Sequence, residues 1–394
     1  MFKVQCSKNM ELRDFDAIRP FEPQELPEVF DRLLADKQFQ AVLTYLYPQV
    51  PLEAIAQKMH ACHSCLDFQK AFCYDFLKNL MAKASKGFDM DVSCIDVSRR
   101  YTFVSNHRDI VLDSALLDML LVDAKFDTTC EIAIGDNLLS LPWVLDIVRV
   151  NKSFIVRRGL MAKDRLKSSI ELSRYMHFAI KEKHENLWIA QREGRAKDSD
   201  DRTQKGIIKM LTLGGEGTFI ERLQQLHIVP LSISYEFDPC DYLKAAEFQL
   251  RRDNPNWHKG PMDDVISMRT GIAGFKGHIH FHCAPCIDDY LEALKSSKNN
   301  NNEVMDEICN YIDHQIHLYY RLYPGNYIAL DELRGTHDFT DQYSDHQKEV
   351  FDAYLHRRLS KIDIPNKDEA FLRERLLTMY ANPAINYRKA HGLE

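Results

Sequence analysis

Apolar positions recur every three or four residues through "QELPEVFDRLLADKQFQAVLTYLY" and "LDFQKAFCYDFLKNLMAKAS", with Pro51 between the two runs. That is a helical period, and it predicts a helical N-terminal region over residues 1–98. From residue 99 the pattern changes. Short β-rich runs alternate with longer amphipathic ones: "YTFVS" then "SALLDMLLVDA", "CEIAIG" then "NLLSLPWVLDIV", "SFIVR" then "LMAKDRLKSSIELSRYMHFAIKEKH". "NLWIAQ", "HIVPLSISY" and "GHIHFHC" follow, again separated by helical segments. Such alternation predicts an α/β layered core over 99–290, built on a mixed, mostly parallel sheet. "KSSKNNNNEVMDE" (295–307) is polar and of low complexity, and reads as a surface linker. "EVMDEICNYIDHQIHLYYRLY" and "KDEAFLRERLLTMYA" return to a helical period, so 291–394 is expected to form a helical C-terminal region packed back on the core.

Composition narrows the class. A net charge of −7 over 394 residues is not the basic excess that nucleic-acid binding leaves. No window reaches the roughly 18–20 apolar residues that span a bilayer. The longest apolar stretches are broken by Asp118, Asp123 and Asp146. The start, "MFKVQCSKNMELRDFDAIRP", carries charges where a secretion signal would be apolar. Ten cysteines without framework spacing suit a reduced cytoplasmic setting. A cytoplasmic protein is expected, at most peripheral on the inner face of a membrane.

Candidate chemistry begins at "YTFVSNHRDIVLDSALL". His107 at a strand end can take a proton near neutral pH if a carboxylate orients its ring. Asp113 and Asp109 both offer that carboxylate. The plainer reading is a polar turn, with Ser105 or Asn106 capping the next helix. Three further segments converge on the same place. "NKSFIVRRGL" ends a strand with Arg157 and Arg158. "LWIAQREGRAKD" sets Glu193, Gly194, Arg195 and Lys197 past another. "HIVPLSISYEFD" is a third strand, with Pro230 inside it. Carboxyl ends of parallel strands share one edge, where ligands bind. Arginines there suit planar contact with phosphate, and a glycine lets backbone approach an anion.

On these residues the chain resembles the glycerolipid acyltransferases, especially the glycerol-3-phosphate and dihydroxyacetone-phosphate branch. The resemblance runs from about Tyr101 to Asp238, with a weaker echo in "GFKGHIHFHCAP". "SNHRDIVLD", "SFIVRRG", "REGRAKD" and "IVPLSISYE" match four family blocks in order. The family usually places four residues between its His and Asp, whereas five separate His107 from Asp113. The resemblance implies a glycerophosphate-acyltransferase-like core and direct transfer of a fatty acyl group from acyl-CoA or acyl-ACP to a hydroxyl of glycerol 3-phosphate. His107 would be the base and Asp113, or alternatively Asp109, its orienting acid. Arg157 and Arg195, with Arg158 and Lys197, would anchor phosphate, and Glu193 would order the cations. Gly194 and Pro230, which belong to the matched blocks, would also be substrate-binding residues. No metal or other cofactor is implied. The expected partners are the thioester donor, an acyl carrier protein where it carries the donor, the phosphorylated acceptor and a membrane surface. Helices of the first hundred residues, or 114–124, are candidates to face that membrane. Alternatives are a lysophosphatidate or other lysolipid acceptor, a hydrolase using the same dyad on water, and a non-catalytic lipid-binding relative.

Two further motifs invite other chemistry. "LGGEGTFIE" carries Glu216-Gly217-Thr218, the wording of the lysophosphatidate branch, but it follows a helical run and reads as a glycine-capped helix end. His278, His280 and His282 alternate on a strand near Cys283 and Cys286, a set able to bind zinc, but with Ile279, Phe281 and Cys283 on the opposite face the pattern reads as an ordinary half-buried strand. "HACHSC" has helical spacing instead of the spacing of a zinc finger.

Overall fold

Seven strands form one sheet in the computed structural model, which describes residues 11–260, 262–296 and 300–394. The first ten residues of the charged start, with Cys6, lie outside the described residues. The strands are β1 (Gly87–Asp91), β2 (Thr102–Ser105), β3 (Cys130–Gly135), β4 (Ser153–Val156), β5 (Asn186–Ala190), β6 (Ile228–Tyr235) and β7 (His278–Cys283). Their order is β1-β7-β6-β2-β5-β3-β4. β2 to β6 run parallel, so their carboxyl ends share one edge. β7 runs antiparallel to β6, and β1 runs parallel to β7. The fold is α/β on a mixed, mostly parallel sheet.

Helices cover both faces. Leu172, Met176, Ile208 and Ile312 pack with Val104 and Ile189 on one face. Leu77, Met81, Leu116 and Leu120 pack with Phe103 and Ile233 on the other. Strands covered on both faces read as near-continuous apolar runs, and every residue of β2 and β6 is buried.

Proline is normally confined to edge strands because it cannot donate to a ladder. Pro230 nevertheless sits in a central strand. Its carbonyl accepts from the Ala284 N–H at 2.9 Å, so its missing N–H faces the β7 side. There the ladder with β7 runs only from Leu231 to Tyr235. Pro230 therefore lies one residue past the last rung, and the absent donor breaks no strand pairing.

The structure departs from the sequence pattern in three places. β1 lies within the stretch read as helical, where Phe88 and Met90 alternate with Asp89 and Asp91 in a strand's period of two. The polar run read as a linker is mostly helix: Asn300 accepts from the Asn302 and Glu303 N–H groups and starts the helix Asn301–Leu318. Residues 297–299 lie outside the described residues. The helix Leu112–Asp123, expected as a membrane-facing candidate, is core, with Leu116, Leu117, Met119, Leu120 and Leu121 all buried. Among the described residues no helix is long and apolar enough to cross a membrane.

The C-terminal helices are tied to the core by charge as well as by apolar packing. Asp241, fully buried, accepts from the Arg358 guanidinium and from the Tyr354 and Tyr380 hydroxyls.

One buried ring makes the fold sensitive to acid. His177 is 1% exposed and meets the Leu211 carbonyl at 3.1 Å through Nε2. Burial is the main cause of its pKa being lowered to about 4. An unfolded His177 protonates near pH 6.5 while the folded one does not, so stability present above pH 6.5 is lost as pH falls toward 4. In urea titrations the stability of the wild type relative to His177→Gln should fall by about 2–3 kcal/mol between pH 7 and 4.5. A difference independent of pH would contradict a neutral buried ring.

Candidate active site

At the end of β2 the chain is clamped before it turns. The Asn106 side chain donates to the Ile233 carbonyl (2.9 Å) and accepts from the Ile233 N–H (2.8 Å), completing a rung with β6. The Gln191 N–H donates to the Ser105 carbonyl at 2.8 Å and fixes the end of β5 beside it. His107 is the next residue. Its Nδ1 lies 2.8 Å from Asp113 Oδ2, with the imidazole 13% and the carboxylate 1% exposed. The same oxygen accepts from the Arg108 N–H (2.6 Å) and the Asp109 N–H (3.0 Å). An oxygen taking two backbone donors is placed as an acceptor, so the shared proton belongs on Nδ1. Nε2 then keeps its lone pair, and it has no hydrogen-bond partner among the described residues. Trp188 of β5 supports the ring edge to face at 5.7 Å, its own N–H donated to Ser105 Oγ at 3.0 Å.

Asp109 has a different job. Its Oδ1 accepts from the Val111 and Leu112 N–H groups at 2.9 and 2.8 Å, so it caps the following helix. Ser105 and Asn106, the caps in the plainer reading of this turn, do not. Burial and the adjacent Asp113 charge push the Asp109 carboxyl up, against the pull of Arg195.

The cationic residues fall into an inner and an outer group. Arg195 is 7% exposed, and its Nη1 is buried without a hydrogen-bond partner. Its charge reaches Asp109, Asp238 and Cys240. Three more donors are buried without partners: Arg192 Nε, Gln191 Nε2 and Arg108 Nη1. Gln191, Arg192 and Arg195 belong to the loop after β5, and Arg108 follows His107. Lys197 pairs with Glu247 at 2.9 Å; burial foremost, with Arg195 close by, lowers its amine to about 8. The outer group is more exposed. Arg157 pairs with Glu171 (2.9 Å) and Arg158 with Glu193 (3.4 Å), while the Arg158 N–H donates to Asp136 at 3.0 Å. β4 lies three strands from β2, roughly 14 Å along the edge. Arg157 and Arg158 therefore border the site from a distance, and Arg195 adjoins it. Gly194 has a φ of +70°, the left-handed turn that brings Arg195 inward. Pro230 is buried in its ladder opposite Val104 and does not reach the open edge.

Several supports carried no motif. Arg108 pairs with Asp201 at 2.6 Å, both buried, and the Tyr320 hydroxyl donates to Asp201 at 3.0 Å. Asp201 lies in the loop after β5. Asp313 anchors the same loop by accepting from the Thr203 N–H and hydroxyl at 2.7 and 2.6 Å. The side chain of Asn386 accepts from Arg202 and donates to Asp200, tying in the last helix. The C-terminal region thus helps hold the inner cations in place.

The remaining motifs do other work. His278 and His280 both bind Asp89, and His282 lies 3.6 Å from Asp91 across the β1–β7 ladder. Cys283 is buried. Three metal-type donors do approach one another in His227, Cys286 and Asp288. There the Arg99 guanidinium already lies 3.3 Å from His227 and 3.8 Å from Asp288. Cys62 and Cys65 are buried in the N-terminal helical layer. Glu216-Gly217-Thr218 lies between two helices, with Thr218 capping the second. The glycines there are not helix caps: the preceding helix Lys205–Leu211 ends on Thr212, and Gly214 packs so closely that a Cβ would stand 2.7 Å from the backbone of Ser173 and Arg174. A cleft of about 740 Å3, lined by Arg99, Arg100, His184 and His227, opens at the amino ends of the parallel strands, away from His107.

No family model matches the chain, and neither does any curated protein. The crystal structure of the 1-acyl-sn-glycerophosphate (LPA) acyltransferase PlsC from Thermotoga maritima aligns with 74% of this chain and 95% of its own. The identity is 14% and the TM-score 0.35. That likeness is too loose to carry chemistry from one chain to the other.

The Arg108–Asp201 pair is testable without any assay of function. Removing one member of a buried pair strands the other charge, whereas replacing both by apolar groups does not. Arg108→Met should cost about 3–5 kcal/mol in urea unfolding, and adding Asp201→Leu should restore much of that loss. A double variant as unstable as the single one would contradict the pairing.

Proposed function

We propose that the chain is an O-acyltransferase of glycerolipid type, moving a fatty acyl group from a thioester donor to a hydroxyl of glycerol 3-phosphate. The observation that carries this is the His107–Asp113 dyad on the carboxyl edge, beside buried arginine N–H groups that lack acceptors. The four sequence blocks resembling the glycerolipid acyltransferases support it independently.

In this reaction His107 Nε2 takes the proton of the acceptor hydroxyl as its oxygen attacks the thioester carbonyl. Asp113 holds Nδ1–H and stabilises the imidazolium. The tetrahedral intermediate collapses with loss of the thiolate, which takes the proton back from Nε2 and leaves as CoA-SH or ACP-SH. Arg195, with Arg192 and Arg108 around it, supplies N–H donors to the acceptor phosphate. Arg157 and Arg158 attract it from the rim, and Glu193 and Glu171 hold those arginines until the anion arrives. Phosphate binding turns an encounter into an oriented attack, which can be worth several kcal/mol. A water nucleophile has no phosphate to fill the inner site, which favours transfer over hydrolysis. The dyad itself does not choose between glycerol 3-phosphate and a lysolipid; the inner cations suit the phosphate common to both. We place the reaction in the cytoplasm, at a membrane surface.

A labelled acyl donor offered to a panel of acceptors tests this. His107→Ala should lower kcat by about 10^3-fold or more, and Asp113→Asn by about 10^2–10^4-fold. Arg195→Gln should raise the acceptor KM by about tenfold or more, with a smaller effect on kcat. Donor hydrolysis without transfer would make the chain a hydrolase. Lipid binding with neither activity would make it a binding protein.

A further inference from the structure

Of the expected membrane-facing candidates, the helix spanning 114–124 is buried, and a more basic exposed apolar surface lies nearer the site. The loops after β3 and β4 leave the sheet at the same edge as His107. They and the helix that follows β4 carry large apolar side chains in solvent: Leu141 at 40% exposure and Met161 at 79% in the loops, and Leu166 at 55% on the helix. Residues 161–167, the start of the helix Ala162–Lys181, are all exposed. The segment 157–167, "RRGLMAKDRLK", holds five bases against one acid, a local charge of +4 in a chain of −7. Arg157 and Arg158 are held by acids, but Lys163, Arg165 and Lys167 make no ion pair among the described residues. Arg165 reaches only the Leu160 carbonyl, at 3.2 Å.

Exposed aliphatics among unpaired bases fit an anionic bilayer: the bases attract the charged headgroups, and the side chains enter the interface below them. We infer that Leu141, Met161 and Leu166, with Lys163, Arg165 and Lys167, dock the chain on an anionic lipid surface. This rests on the acyltransferase reading and gives that site its source of substrate. The outer arginines join the two, since Arg157 and Arg158 open the same segment and reach toward Glu171 and Glu193. A bilayer seated here lies beside the mouth of the site, and a lipid product leaves without crossing water.

The test is co-sedimentation of the intact chain with vesicles of phosphatidylcholine, with and without phosphatidylglycerol. Binding is expected to the mixed vesicles, to weaken as salt rises, and to be at least tenfold poorer with phosphatidylcholine alone. Met161→Asp with Leu166→Asp should weaken binding about tenfold or more, as should Lys163→Glu with Lys167→Glu. Both pairs should leave turnover of a water-soluble, short-chain thioester with glycerol 3-phosphate at the wild-type value. Ile266→Asp, at an exposed aliphatic on the helix Asp263–Ala273, should change neither. Wild-type binding by both paired variants, no binding by the parent chain, or a loss caused by Ile266→Asp alone would overturn the inference. So would a dimer in solution that these substitutions dissociate, because a second copy would then cover the face. Vesicle binding is read without catalysis: binding without acyl transfer sinks the functional reading alone, and transfer without binding sinks this inference alone.

Discussion

One carboxylate oxygen organises the site. Asp113 Oδ2 collects the imidazole N–H of His107 and two consecutive backbone N–H groups. Those two peptides belong to Arg108 and Asp109, the turn that joins β2 to its helix. The same bonds therefore shape the turn and fix the ring. A carboxylate so used stays an acceptor, and that dictates which imidazole nitrogen is left for chemistry. The neighbouring clamps serve this arrangement: Asn106 ends β2 on β6, Asp109 starts the helix, and Trp188 backs the ring.

The unusual His–Asp spacing follows from that geometry. Asp113 is in the first turn of its helix, while His107 lies in non-helical backbone six residues earlier. Contact between them depends on the path of the turn and not on helical period, so an extra residue is taken up by the loop. Had both residues sat on one helix, the insertion would have rotated the carboxylate by about 100°. The pattern of the chain exposed the dyad, the strand ends and most of the α/β core because buried parallel strands and amphipathic helices leave strong periodic signals. β1 was hidden because a five-residue edge strand is short, and Asp89 and Asp91 on it turn to histidines instead of solvent. Pro230 looked like a site residue because it lies in a matched block, yet only the ladder shows that its missing donor costs no rung. Asp201, Asp313 and Asn386 carry no local signature at all. Their roles come from contacts more than a hundred positions apart in sequence, such as Asp201 with Tyr320 and Thr203 with Asp313.

Those distant contacts make the C-terminal helices part of the site. The loop after β5 is polar and irregular, and left alone it would sample many conformations. Asp313 pins it at Thr203, Arg108 and Tyr320 at Asp201, and Asn386 at Asp200 and Arg202. Hydrogen bonds, several of them buried, thus cross between the α/β core and the C-terminal helices.

Buried arginine N–H groups without acceptors are costly, at about 1–3 kcal/mol for each unsatisfied polar group. Arg195 follows a left-handed turn at Gly194, and the loop beyond it is anchored at residues 200–203. Bound water can supply such acceptors, and so can an anion. A phosphate offers several oxygens in a planar-compatible array and carries the charge the guanidinium needs. The same residues would be poorly arranged for a neutral ligand, which would leave the donors bare. In the function proposed above, the inner cations take the anionic part of the substrate on grounds separate from the dyad, and the dyad takes the hydroxyl beside it.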